Sequence, residues 1–288
     1  MITDRQASDK KRLAAVVGWP VSHSLSPLIH QTWAKREERD ADYLAIAAPP
    51  DYPSFSHALD TLRDLGFQGV NVTLPHKENA LQYCKTATEA AIKAGAANMV
   101  TFGDEGPAAD NSDITGFAAA LSAASPVTDP NLSALILGAG GAAKGVYEAL
   151  RSLGLKNLSI TNRTREKAMK IAERDIAAVI DWSDRRAAVS DADIVVNTTS
   201  LGMTNNPPLD LDDASFKAHA VICDIVYQPL LTPLLRNAAS RGHRIVDGLS
   251  MLMHQAVPGY RTWLGDVAVV DNALRRTLED ALEKRANF

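Results

Sequence analysis

Cysteine is scarce in this chain. Cys84 and Cys223, far apart, are the only two in 288 residues, too few for a disulfide framework and in keeping with a reducing compartment. Each reads as a small buried apolar residue. No apolar run approaches the ~18 residues needed to cross a bilayer, and the opening "MITDRQASDKKRL" mixes charges instead of building a secretory apolar core. Together these point to a cytoplasmic protein. An excess of basic charge is also missing: 30 Lys and Arg stand against 34 Asp and Glu, a net charge of −4, with no basic stripe to neutralise a row of phosphates. Nucleic acid and membrane are therefore not expected partners. Internal repeats and low-complexity tracts are absent. His23, His30, His57 and His76 lack acidic neighbours at ligand spacing, so no metal site is expected.

What is there is the pattern of an α/β protein. Hydrophobic residues at 46% and charged residues at 22% are those of a globular chain, and the length suits two domains. The runs "LAAVVG", "YLAIAA" and "GVNVTL" read as strands, separated by helical patterns at about 27–38 and 52–65, which implies parallel crossovers. Asp51 or Ser54 would cap the second of these helices, and Gly66 would stop it. "TFGDEGPAADNSD" reads as a turn, because Gly103, Gly106 and Pro107 interrupt any continuous element. A helix over 114–123 then leads to the loop "SPVTDPN". A second series follows, with strands at 134–137, 158–161, 194–197 and 221–225. Two closing helices are predicted at 250–263 and 267–285, the last carrying Leu274, Leu278 and Leu282 at spacings of four.

"LILGAGGAAKGVYEAL" sets Gly138, Gly140 and Gly141 directly after a strand and at the opening of a helix. In that context a glycine turn lets backbone N–H groups approach a pyrophosphate at a helix N-terminus. Ala143 stands where a third glycine often sits, and it is small enough. About 20 residues further on, where an NAD site places a carboxylate on the ribose 2′-hydroxyl, the chain has Asn162, Arg163 and Thr164. A guanidinium and a hydroxyl suit a 2′-phosphate, which a carboxylate would repel. The expected cofactor is NADP.

In the first half, Ser24 and Ser26 flank the opening of a helix at Pro27, where hydroxyls and free N–H groups suit either ordinary capping or a carboxylate ligand. In "NVTLPHKE", residues 71–74 read as a parallel strand that Pro75 ends, with Lys77 at its rim. Taken together, "GWPVSHSLSP", "NVTLPHKE", "AGAANMV", "DNSDITG", "GAGGAA", "NRT", "NTTSLGM", "YQPLLTPLL" and "DGLSMLMHQA" resemble, in order and spacing, the shikimate dehydrogenase family from Leu13 to the C-terminal helix.

The resemblance implies an α/β fold of two domains: a substrate-binding and catalytic domain at 1–113, a Rossmann-type doubly wound NADP domain at 114–247, and C-terminal helices at 248–288 returning to the first domain. It implies NADP-linked interconversion of 3-dehydroshikimate and shikimate, on the route to chorismate and the aromatic amino acids. Lys77 and Asp113 fall on the family's catalytic pair. Ser24 and Ser26 would hold the substrate carboxylate, and Thr73, Asn98, Asp113, Tyr227 and Gln255 its other polar groups. The stretch Gly138, Ala139, Gly140, Gly141 and Ala142 would take the pyrophosphate, and Asn162, Arg163, Thr164, Arg165, Glu166 and Lys167 the 2′-phosphate region. Glu89, Ile225 and Gly248 match further cofactor positions. Two residues depart from the pattern, Ser112 for the usual Thr and Ile114 for a frequent Gly. Quinate is the alternative substrate, a non-catalytic NADP-binding sensor the alternative of another class, and a monomer or homodimer the expected state.

Overall fold

The computed structural model describes residues 11–173, 177–211 and 215–286; most of the charge-mixed N-terminal stretch lies outside them. Two compact units emerge. The first comprises Met1–Ile92, Ala96–Ser112 and Ala256–Leu274, and the second Lys93–Gly95, Asp113–Gln255 and Arg275–Phe288. The C-terminal region is thus divided between the units.

The first unit runs β1 (Arg12–Gly18), α1 (Ser26–Arg36), β2 (Ala41–Ala47), α2 (Tyr52–Asp64), β3 (Gly69–Val72), α3 (Lys77–Tyr83), β4 (Thr86–Ala87), α4 (Glu89–Ala94, whose last two residues belong to the second unit), β5 (Met99–Gly103) and β6 (Gly106–Asp110). Its six strands order as β2-β1-β3-β5-β6-β4. The β1–β2 and β1–β3 pairs are parallel, as expected of crossovers, while β3–β5 and β5–β6 are antiparallel. Asp51 does cap α2, accepting from the Ser54 N–H at 2.8 Å, and Gly66 follows its end with φ +84°. Two expectations are corrected. The strand in "NVTLPHKE" stops at Val72, because the chain turns there, with His76 N–H donating to the Thr73 carbonyl at 3.0 Å. The glycine-rich stretch after Met99 is a hairpin: Pro107 sits opposite Phe102, and its carbonyl accepts from Lys85 N–H.

The second unit holds α5 (Ser112–Ala124, whose first residue belongs to the first unit), β7 (Ser133–Leu137), α6 (Gly141–Ser152), β8 (Asn157–Thr161), α7 (Arg165–Ala172), β9 (Ala178–Ile180), α8 (Arg185–Asp191), β10 (Ile194–Asn197), β11 (Val221–Asp224), α9 (Pro233–Ser240) and β12 (Arg244–Val246), followed by α10 (Gly248–Trp263) and α11 (Asn272–Ala286). Every neighbouring pair in the sheet is parallel, in the order β12-β11-β10-β7-β8-β9. Counted from β7, that is the three-two-one-four-five-six order of a doubly wound dinucleotide-binding sheet. The central strands β7, β10 and β11 are buried on both faces and rich in Val, Ile and Leu, as a sheet flanked by helices requires. The edge strands β9 and β12, three residues each, lack a legible signal in the sequence.

The second half of α10, from Ala256, belongs to the first unit and returns to its sheet. Trp263 is fully buried there, its Nε1 donating to Thr101 Oγ1 at 2.9 Å, and its carbonyl accepts from Arg12. Gly69 of β3 makes this packing possible: a Cβ at that position would overlap the indole and lie 2.7 Å from the Val100 carbonyl oxygen. Overpacking of this kind costs about 1–3 kcal/mol. Gly69→Ala is therefore expected to lower the thermal midpoint by several degrees, at about 2–4 °C per kcal/mol; an unchanged midpoint in a thermal melt would count against this packing.

Candidate active site

One end of the first unit's sheet gathers most of the residues singled out from its sequence. β1 and β3 both finish there, and Trp19 N–H donates to the Leu74 carbonyl at 3.0 Å, joining the two loops that leave them. Thr73 follows β3, its N–H held by the Val17 carbonyl at 2.9 Å; Gly18 lacks the Cβ that would strike the Thr73 methyl. Lys77 opens α3, half-buried, one residue after His76. His76 is wholly buried and stacks on Phe55 with ring centroids 4.5 Å apart. Its Nδ1 faces the Asn79 amide nitrogen at 3.2 Å and its Nε2 the Ala48 carbonyl at 3.0 Å. A neutral ring that accepts at Nδ1 and donates at Nε2 satisfies both partners. His76 thereby anchors the turn that presents Lys77, a role its sequence context did not disclose.

Asn98 precedes β5 at the same end. Its backbone ties the edge together: its carbonyl accepts from Val72 N–H at 2.9 Å, its N–H donates to the Asp110 carbonyl at 3.1 Å, and Ala97 N–H beside it donates to the Lys77 carbonyl at 2.8 Å. Its side chain is oriented by Ser112, whose N–H donates to Oδ1 at 2.7 Å and whose Oγ accepts from Nδ2 at 3.0 Å. The Ser112 departure from the family pattern keeps the hydroxyl that does this work. On β1's side, Ser24 Oγ accepts from Ser26 N–H at 3.2 Å ahead of α1, whose N-cap position is Leu25 and takes no side-chain cap; Ser26 is buried, and His23 is exposed. Glu89 is exposed at the start of α4.

In the second unit the glycine turn has the properties a pyrophosphate needs. Gly138 carries φ +112°, and a side chain there would meet Thr198 Oγ1 at 2.6 Å. Ala139 is buried, whereas a Cβ on Gly140 or Gly141 would meet nothing within 4 Å. Open space thus lies over the N-terminus of the 12-residue α6, where no side chain caps the first N–H groups; Ala142, half-buried, belongs to this first turn. That is the ready-made anion site of a helix N-terminus. Asp113, buried in the first turn of α5, packs toward α6, a Cβ at Gly145 coming within 3.4 Å of the Asp113 Cβ. One turn along α5, Gly116 makes room for Gln255 of α10, whose Cα would be 2.8 Å from a Cβ there.

The turn after β8 exposes Arg163, Thr164, Arg165, Glu166 and Lys167, with Asn162 Nδ2 closing it onto the Thr164 carbonyl at 2.8 Å. Arg165 is engaged in an ion pair with Asp181 beyond β9. At the next strand end, Gly248 opens α10 directly against the carbonyl of Ile225, where any Cβ would overlap it. Tyr227 follows, and burial raises its phenol above the ordinary range.

Sequence reasoning missed the carboxyl that shapes this strand end. Asp224, 1% exposed, accepts from Asn197 Nδ2 at 3.1 Å, Thr232 Oγ1 at 2.7 Å and Val226 N–H at 3.0 Å. Burial pushes its pKa up to about 6 against the pull of those donors. The folded chain therefore holds this proton more tightly than the unfolded one. Stability from this group is complete below about pH 4, the ordinary carboxyl range, and is lost as pH rises through 6. Relative to Asp224→Asn, the wild-type chain is expected to lose roughly 3 kcal/mol between pH 4 and 7. Denaturant unfolding of both across that range measures it, and a constant difference would contradict the assignment.

An all-parallel doubly wound sheet with an open glycine turn, in a chain whose other unit carries a lysine at a sheet end held by buried amides, defines a dinucleotide-dependent oxidoreductase. Comparison with known proteins narrows the class. The family model for the shikimate dehydrogenase substrate binding domain matches residues 16–100, and that for shikimate / quinate 5-dehydrogenase matches residues 123–224. The NADP(+)-dependent shikimate dehydrogenase of Acidiphilium cryptum is 45% identical over 274 residues, covering 94% of this chain and 97% of its own. Among solved structures, shikimate dehydrogenase from Aquifex aeolicus superposes with a TM-score of 0.85 at 31% identity, covering 97% of this chain and all of its own. The Thermus thermophilus enzyme, solved with NADP(H) and shikimate, gives 0.81 at 30% identity over 95% and 99%. The chain belongs to the shikimate dehydrogenase family.

Proposed function

We propose that this chain catalyses the reversible NADPH-linked reduction of 3-dehydroshikimate to shikimate, in the route to chorismate and the aromatic amino acids. The observation that carries this reading is the meeting of Thr73, Lys77 and Asn98 at one end of the first sheet, in a chain that both family models match. Within it, the first unit is the substrate-binding and catalytic domain, the second is the NADP domain, and the C-terminal helices complete the first.

Bound NADPH supplies a hydride to the ketone carbon. What remains for the protein is to hold the substrate, exclude water and deliver a proton to the developing alkoxide. Lys77 is the proton donor, and the acceptor in the reverse direction. Asp113 is the second member of the pair. Ser24 and Ser26 bind the substrate carboxylate, while Thr73, Asn98, Tyr227 and Gln255 take its hydroxyl and keto oxygens. Gly138–Ala142 receive the pyrophosphate, Asn162–Lys167 the 2′-phosphate, and Glu89, Ile225 and Gly248 the remaining cofactor contacts. Arg163 is the principal phosphate ligand, because Arg165 is already paired with Asp181.

The setting in this reading is the cytoplasm, as a monomer or homodimer without nucleic acid or membrane. Among the described residues no helix is long and apolar enough to cross a membrane, and the cysteine usage suits a reduced compartment. Quinate stays the second substrate to test, since the second family model covers both activities.

Assaying shikimate and quinate with NADP+ and NAD+ tests the proposal, with shikimate and NADP+ expected to be the preferred pair; preference for quinate or NAD+ would overturn it. Lys77→Ala is expected to lower kcat by about 10²–10⁴-fold, the usual worth of a general acid, with a much smaller change in KM for 3-dehydroshikimate. Near-normal turnover would remove Lys77 from the chemistry. Arg163→Ala is expected to cut the preference for NADP+ over NAD+ by about tenfold or more, the worth of a charge-assisted hydrogen bond, and an unchanged ratio would assign the 2′-phosphate elsewhere.

A further inference from the structure

Beneath the catalytic edge lies a buried polar chain with no part in the chemistry proposed above. Tyr43 of β2, 1% exposed, donates its hydroxyl to Asn71 Oδ1 at 2.7 Å. Asn71 of β3, 5% exposed, donates its Nδ2 to the Asn98 carbonyl at 3.1 Å. The amide cannot be turned over, because a backbone carbonyl only accepts and Oδ1 would then face it. Burial raises the Tyr43 phenol well above its ordinary range, which keeps it protonated and a donor. Around this chain the packing is tight: His30 stacks on Tyr43 with centroids 3.9 Å apart and planes 6° apart, and a Cβ on Gly259 would come within 3.3 Å of Asn71 Oδ1.

What the chain controls is the seat of Asn98. The Asn98 carbonyl takes the Asn71 amide and the Val72 N–H together, and the neighbouring Ala97 N–H holds the Lys77 carbonyl. A shift of the Ala97–Asn98 segment moves the Asn98 amide and the first turn of α3 at once. Displacements of about 1 Å at reacting groups are enough to cost two orders of magnitude in rate.

We infer that Tyr43 and Asn71 are positioning residues for the reaction, acting through the Asn98 carbonyl to set the Asn98 side chain and Lys77 relative to the substrate. The inference rests on the functional reading above. Asn71→Asp tests it most sharply. Ionised, the new carboxylate sets an acceptor against the Asn98 carbonyl; protonated, its O–H restores the donor. The variant is expected to lose about tenfold or more in kcat/KM for 3-dehydroshikimate at pH 8, an effect of the order of one buried hydrogen bond. Part of that loss should return toward pH 5, a recovery absent from the wild-type profile, and KM for NADPH should move by less than about twofold. Tyr43→Phe, which keeps the ring and removes one hydroxyl, is expected to raise KM for 3-dehydroshikimate severalfold with the same silence toward NADPH. If Asn71→Asp does not fold, Tyr43→Phe decides. Variants with wild-type substrate kinetics, a parallel pH profile, or KM for NADPH moving as far as that for the ketone would overturn the inference. A wild-type chain that does not oxidise NADPH with 3-dehydroshikimate would overturn the functional reading and this inference with it.

Discussion

The carbonyl of Asn98 is the point on which the first unit's site depends. It accepts from the backbone of β3 and from the side chain of Asn71, and its own side chain is locked by Ser112. Together with the neighbouring Ala97 N–H, which holds the Lys77 carbonyl, it ties the amide of Asn98 and the turn that presents Lys77 to the end of the first sheet. Buried amides with complete partners are rigid because any alternative leaves a donor or acceptor unpaired at a cost of about 1–3 kcal/mol. A proton donor that must meet a developing alkoxide gains from this rigidity more than from any single contact.

The second unit uses a different device, the absence of side chains. Gly138, Gly140 and Gly141 leave backbone N–H groups and open space at the start of α6; Gly145 and Gly116 let Asp113 and Gln255 approach the helices beside them; Gly248 lets α10 begin on the Ile225 carbonyl. A methyl group at Gly116 or Gly248 would meet backbone, which cannot step aside. Around them, Asp224 holds the ends of β10 and β11 together through donors from Asn197, Thr232 and Val226. Its raised pKa is the cost of placing that carboxyl in the interior.

Much of this was legible in the sequence. Strand periods located β7, β8, β10 and β11 of the parallel sheet but not its edge strands, since strands buried on both faces read as unbroken apolar runs. The glycine turn announced itself by standing between a strand and a helix, and Asp51 and Gly66 marked the ends of α2 by their capping chemistry. The hairpin of β5 and β6 was hidden, because Gly103, Gly106 and Pro107 are the residues that ordinarily break strands, yet Gly106 and Pro107 pair within one. The end of β3 was misplaced by two residues: Thr73 and Leu74 have strand propensity, and the turn that overrides it is set by the buried His76. Tyr43 and Asn71 carried no signal, because a tyrosine and an asparagine 28 residues apart pair only once β1 lies between their strands.

The central claim concerns Lys77 at an edge whose geometry Asn98 sets. A crystal structure of the chain with shikimate and NADP+ tests it most directly. Shikimate is expected at the end of the first sheet, with the hydroxyl on its reacting carbon within hydrogen-bond reach of Lys77 Nζ and a neighbouring oxygen on the Asn98 amide. Shikimate bound with that hydroxyl turned away from Lys77, or seated elsewhere on the chain, would contradict it.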